Sequence, residues 1–295
     1  MWRLIAGIAA VLLLCAQTPM LPGFPPGTFQ NRAALDGGAA GCSDTDATAW
    51  QNAVIAASGT VSANQYTRVC TLIQAYKSAS VWSLMDRVWL LAAENATQAS
   101  IDLVTRSTFT IVSSPTFTAN VGYTGDNSSG INTNFTPSTA GGVFTQNSAH
   151  VSSYLILGSG STNRAMFGAN SGGFTYLEAN TSSSAMAGDI NGSTFPTITD
   201  TGSNGIGQYM ITRTSASDIA VYKNGNTTPI GSSAGDTSQA LNTVPIYMLS
   251  INPFGHGSDD KIAAVTIGAG MNSTQMQSAM SAMNAYQTAI GNNVY

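Results

Sequence analysis

The sequence predicts a mainly β protein: an antiparallel β-sandwich preceded by a small α-helical segment and an extended N-terminal arm. Three observations lead there. After Arg106, apolar residues alternate in short runs separated by glycine-rich turns, the pattern of a sandwich rather than a parallel sheet. Between Asp44 and Thr105 they recur instead at helical spacing. Ahead of both, Gln17 to Gly41 is rich in Pro, Gly and Ala and has no apolar period, as expected of an arm or linker. The expected organisation is an apolar N-terminal segment (1–16), a Pro/Gly-rich arm (17–43), a helical segment (44–105) and the sandwich with a closing helix (106–295).

Met1-Trp2-Arg3 is followed by an apolar run from Leu4 to Ala16 and a polar break at Gln17-Thr18-Pro19. One positive charge and a short apolar stretch describe a secretory signal peptide. If the run is retained, it reads as an assembly anchor that partner chains must cover. It is too short to span a bilayer, which needs about 20 residues, so the chain is not expected to be transmembrane. Leu14 fits the small-x-small cleavage rule poorly, and Leu12-Leu13-Leu14 before Cys15 does not make a lipobox.

In the helical segment, Asp44 or Thr45 caps a helix carrying Trp50, Val54 and Ala57. A second starts after Ser62 and presents Tyr66, Val69, Ile73 and Tyr76. Trp82, Met85, Val88 and Trp89 continue the spacing and are expected in a core. Strands follow at Thr108–Val112, Val151–Leu157, Phe174–Leu177, Gln208–Arg213 and Ile219–Tyr222. Lys223-Asn224-Gly225-Asn226 is a hairpin turn, because Asn-Gly accepts the positive φ angles of a type I′ turn. Pro245–Ile251 and Lys261–Ile267 complete the strands. Asn272 then caps a final helix with Gln275 at the capping-box position, and Met276, Met280, Met283 and Ile290 share one face. Cys42 and Cys70 either pair in an oxidising compartment, worth about 3 kcal/mol on the chain-entropy view, or leave Cys70 a small buried hydrophobe.

Charge is scarce: 8% of residues are Asp, Glu, Lys or Arg, against about 25% in an ordinary soluble domain. Hydrophobic residues make up 43%, which gives the chain a real core. A net charge of −4 without a basic stretch argues against nucleic acid as a partner. Uncharged polar surfaces suit extracellular β proteins and subunits buried against neighbours.

Ser217-Asp218-Ile219-Ala220-Val221-Tyr222-Lys223-Asn224-Gly225 resembles a hairpin of concanavalin A-like (laminin G-like) lectin/glucanase domains. Lys261 to Gly268 followed by Met271 to Met276 is similar to their closing strand and helix. Val81 to Leu90 and Ser114 to Asp126 resemble segments of phage tail and prophage structural proteins that carry such a domain. The resemblance implies a jelly-roll sandwich in a virion structural or host-adhesion protein: a tail fibre, tail-tip or head decoration component. Its implied place is the virion, the cell surface or the extracellular space. Its implied partners are surface glycans, other virion proteins and further copies of itself, with a trimer matching a fibre. A secreted bacterial carbohydrate-binding protein is the alternative, and a glycan-cleaving enzyme a third reading.

Ligand contact is expected at loop aromatics beside amides, namely Tyr176, Phe254 and His256, with Asn252-Pro253-Phe254-Gly255-His256 forming a turn. No cofactor is required. Calcium is the one ion the resemblance suggests, with Asp126, Asp189 and Asp259 (beside Asp260) as its candidate ligands. Catalysis is not expected. Retaining glycosidases use two carboxyl groups about 5 Å apart, yet Glu94 falls in the helical segment and Glu178 stands alone in its strand. His150 and His256 are too far apart in sequence to suggest a zinc site.

Overall fold

A computed structural model describes residues 42–158, 164–181, 185–193, 197–199, 206–253 and 255–295. The expectations for the apolar N-terminal segment and the arm up to residue 41, and for Phe254, lie outside the described residues.

The helical segment opens as expected. Helix α1 (Thr45–Ala56) is capped by the Asp44 carboxylate, which accepts from the backbone N–H groups of Asp46 and Ala47. Ser62 caps α2 (Ala63–Ser78) in the same way through Gln65. The Cys42–Cys70 disulfide ties the chain ahead of α1 to the middle of α2.

Strand β1 (Met85–Leu90) follows where helical spacing had been expected to continue. Short helix α3 (Ala96–Ser100) comes next. The remaining strands are β2 (Thr110–Val112), β3 (Thr116–Thr118), β4 (Gly122–Thr124), β5 (Gly130–Asn132), β6 (Ala149–Leu157), β7 (Arg164–Asn170), β8 (Phe174–Thr181), β9 (Ala185–Gly192), β10 (Thr197–Thr199), β11 (Gly207–Arg213), β12 (Ile219–Lys223), β13 (Gly231–Ser233), β14 (Tyr247–Met248) and β15 (Lys261–Gly268). Helix α4 (Ser273–Ala289) closes the chain, with both halves of the Asn272–Gln275 capping box formed. At the β12 turn, Asn224 and Gly225 both have positive φ, 55° and 68°.

The strands form two antiparallel sheets. One runs β13-β12-β11-β6-β15-β4-β3, with β1 also paired to β15; the other runs β10-β9-β8-β7-β14-β5-β2. Packed face to face, they make the antiparallel β-sandwich that the sequence predicts. Between the sheets lies one core, with Trp89, Phe135, Val151, Phe167, Leu177, Ile211 and Val265 in it. A second core lies on the other face of the first sheet, where Tyr154, Met210 and Ala264 meet Trp50, Val69 and Ile73 of the helices and the Met276, Met280 and Met283 stripe of α4. The molecule is therefore layered helices, sheet, sheet.

The helical layer and the sheets are built together. All described residues fall in one compact unit. Met85, Val88 and Trp89 imitate a helical spacing, but β1 is buried on both faces, so its apolar residues fall on both sides of the strand. Trp89 joins the core between the sheets, while Val88 and Leu90 join the helical core. Its register runs from Met85 opposite Gly268 to Leu90 opposite Ala264. The buried Asp86 carboxylate accepts from the N–H groups of Val143 (2.9 Å) and Phe144 (2.7 Å), fixing the loop before β6 to this strand.

His150 is fully buried, its Nδ1 2.6 Å from the Ala269 carbonyl and its Nε2 3.1 Å from the Thr266 hydroxyl. Burial pushes its imidazole down to about 4, against the hydrogen bond to Ala269, so it is neutral in the fold. It is a packed strand residue. Among the described residues no helix is long and apolar enough to cross a membrane.

Truncating the α4 stripe tests the second core. Met280→Ala removes a fully buried side chain and lowers unfolding free energy by about 2–5 kcal/mol in urea denaturation; a loss under about 0.5 kcal/mol contradicts this packing.

Candidate functional site

A pocket of about 290 Å³ opens on the outer face of the second sheet, away from the helical layer. Its wall comes from one face of β8. Alternation along the strand sends Phe174, Tyr176 and Glu178 to this face and Leu177 to the core. The two aromatic rings meet edge to face, 6.5 Å apart at 75°. Across β7, Gly168 lies opposite Tyr176. A Cβ there would come within 2.6 Å of Ile251 and 3.1 Å of the Tyr176 Cβ, so glycine is what lets the Tyr176 side chain and the following loop close on this strand.

The opposite wall is the loop after β14. It is held on β7 by backbone bonds from Asn170 N–H to the Asn252 carbonyl (2.8 Å), from Asn252 N–H to Gly168 (3.2 Å) and from Ala165 N–H to His256 (3.2 Å). Ile251 and Gly255 exchange two further backbone bonds. His256, with φ of 51°, then aims Nδ1 at Oε1 of Glu178 from 2.8 Å.

The structure brings Tyr176, which lies on strand β8 and not in a loop, close to His256, and adds Glu178 between them. The Glu178 side chain is 8% exposed and that of His256 50%. Burial raises the Glu178 carboxyl above its usual range, and the His256 charge opposes this. The Tyr176 hydroxyl is also pushed up, first by burial and then by the charges of Glu178 and Asp189. The strand's alternation was the signal that could have found Glu178, since Phe174, Tyr176 and Glu178 are spaced by two. Its pairing with His256, far along the chain, was not readable.

The candidate calcium ligands do not gather. Asp126 is exposed after β4, where hydrogen bonds from Ser129 and Ser128 hold its carboxyl below the ordinary range. Asp259 sits on the adjoining loop, beside the buried Arg164–Asp260 ion pair. Asp189 lies elsewhere, in a buried cluster with Asp236 around Arg213. Arg213 donates to the Ile190 carbonyl (2.6 Å), the Asp236 carbonyl (2.8 Å) and the Asp236 carboxylate, and Asp189 stands 3.7 Å away. Here a guanidinium takes the place a cation would fill. Among the described residues no three His, Cys, Asp or Glu side chains are grouped to hold a metal ion.

No protein-family model matches the chain, and no curated protein matches it in sequence. Solved structures do. A mutant of Trypanosoma rangeli sialidase displaying trans-sialidase activity is 12% identical over 77% of this chain, with a TM-score of 0.50. This chain spans 40% of that one. Domain 4 of AbnA, a GH43 extracellular arabinanase from Geobacillus stearothermophilus in complex with arabinotriose, is 13% identical, covering 66% of this chain and all of that domain, with a TM-score of 0.43. Domains LG4-5 of the mouse laminin α1 chain are 14% identical, covering 43% of this chain and 37% of theirs, with a TM-score of 0.29. The sialidase likeness shows the fold, and it corrects the expectation of a non-enzyme. A sialidase chain contains this architecture, so a missing paired-carboxylate strand is no ground for excluding catalysis. The match to phage structural proteins implied by the sequence has no counterpart among these structures.

The Asp189 cluster makes its own test. Burial and the neighbouring Asp236 carboxylate raise Asp189 from 3.8 to about 8, against the pull of Arg213. Between those two values the folded state binds the extra proton, so stability falls as pH rises through the window. Asp189→Asn removes this slope. Urea midpoints of the wild type minus those of the variant decrease from pH 4 to pH 8; a difference that is flat or rises with pH contradicts the assignment.

Proposed function

We propose that the chain is a carbohydrate-binding domain and that the β8–β14 pocket is its ligand site. The observation that carries this reading is the pocket itself. Two aromatic side chains and a carboxylate–histidine pair converge in a concavity near the lower end of the size range of small-ligand sites, about 300–1,000 Å³. Aromatic faces cover the apolar side of a sugar ring, and Glu178 and His256 fix its hydroxyls. The setting we infer is extracellular or on a particle surface, as a host-adhesion component. The Cys42–Cys70 disulfide supports it, since such bonds persist outside reducing compartments, and so does the resemblance of Val81 to Leu90 and Ser114 to Asp126 to phage proteins.

A second reading, glycan cleavage, is favoured by one feature. Glu178 is a buried carboxyl with a raised pKa beside a half-exposed histidine, as a general acid requires. Among the described residues lining the pocket it is the single carboxylate. Cleavage of a glycan that is lost in Glu178→Gln, with binding retained, decides for this reading.

The binding test uses a glycan array followed by titration calorimetry. His256→Ala and Tyr176→Ala each weaken the best glycan by about tenfold or more, equivalent to roughly 1.4 kcal/mol, while Asp218→Ala, at the exposed turn before β12 in the other sheet, leaves it unchanged. Half-exposed His256 can be removed without opening a core. Unchanged affinity in His256→Ala and in a folded Tyr176→Ala overturns the site.

A further inference from the structure

The charge around the pocket says which sugars it admits. Its floor carries Glu178, and its one basic lining residue, His256, is already committed to that carboxylate at 2.8 Å. Among the described lining residues there is no lysine or arginine. The nearest guanidinium on β7, that of Arg164, is fully buried in its pair with Asp260 and does not line the pocket. Glu178 has no hydrogen-bond partner besides His256 among the described residues, so its second oxygen is an acceptor set in a largely apolar cavity. A buried acceptor of that kind is stabilised by O–H or N–H donors and destabilised by another anion.

We infer that the pocket selects sugars without acidic groups, using Glu178 as an acceptor for their hydroxyls and rejecting sialylated and uronate-bearing glycans by like-charge repulsion; this rests on the carbohydrate-binding reading above. The inference separates the chain from what its fold neighbour acts on by name. A carboxylated sugar needs a guanidinium or ammonium facing it, and this pocket faces it with a carboxylate.

The experiment uses the full chain and matched probes: lactose against sialyllactose, and xylotriose against its glucuronate-substituted form, measured by calorimetry at pH 7. The expected result is that at least one neutral probe binds and its acidic counterpart binds at least tenfold more weakly. In Glu178→Gln the neutral probe binds more weakly than to the wild type and its lead over the acidic probe narrows to under threefold. If an acidic probe binds as tightly as its neutral counterpart or more tightly, the selectivity is wrong and carbohydrate binding stands. If no probe and no glycan on the array binds, carbohydrate binding itself is overturned and the selectivity falls with it. A gap that persists in folded Glu178→Gln also overturns the inference, because the repulsion then comes from elsewhere. Should that variant not fold, the wild-type comparison decides alone.

Discussion

Strand β15 has to be covered on both faces, and most of the architecture follows from meeting that demand. It pairs with β1, β4 and β6, and Ile262 to Gly268 are buried. Ile262, Val265 and Ile267 face the other sheet, while Ala263 and Ala264 face the helices. Two successive residues on one side break strict alternation, and the register shift between Ile262 and Ala264 is the irregularity that allows it. The small alanines let α4 approach closely enough for Gln287 to donate to the Ala263 carbonyl at 3.3 Å. Without the helices this side of the sheet would expose Tyr154, Met210 and Ala264 to water, at about 25 cal/mol for each Å² of apolar surface. The segment from Thr45 to Ser78 is thus a structural layer of the sandwich.

Covering the first sheet in this way leaves the outer face of the second as the place for a pocket. There the sheet does not need apolar side chains, and β8 can present Glu178 outward. The loop after β14 supplies the second wall because it is bonded along β7. Residues close in sequence on β8 set the aromatic side, and a distant loop sets the basic side. Rigid strands fix the first, and backbone hydrogen bonds fix the second.

Much of this was legible. The capping residues Asp44, Ser62 and Asn272, the methionine stripe and the Asn224-Gly225 turn are local signals, governed by hydrogen bonds and φ angles within a few residues. Met85 to Leu90 misled because a strand buried on both faces has no period to read. Tyr176 and His256 were identifiable as a sugar-contacting type of residue, yet Glu178 was taken as solitary because its partner comes from another loop. Asp189 was marked for a cation when its partner is Arg213, and only the fold brings β9 and β11 together.

The interior also holds much of the chain's scarce charge. Of 14 acidic and 10 basic residues in the sequence, eight of those described are buried: Asp86, Asp102, Arg164, Glu178, Asp189, Arg213, Asp236 and Asp260. Few ions are left on the surface that meets solvent. Such a surface has little for dissolved salt to screen. A change of ionic strength, from fresh water to brine, is expected to alter the long-range field of this surface only slightly.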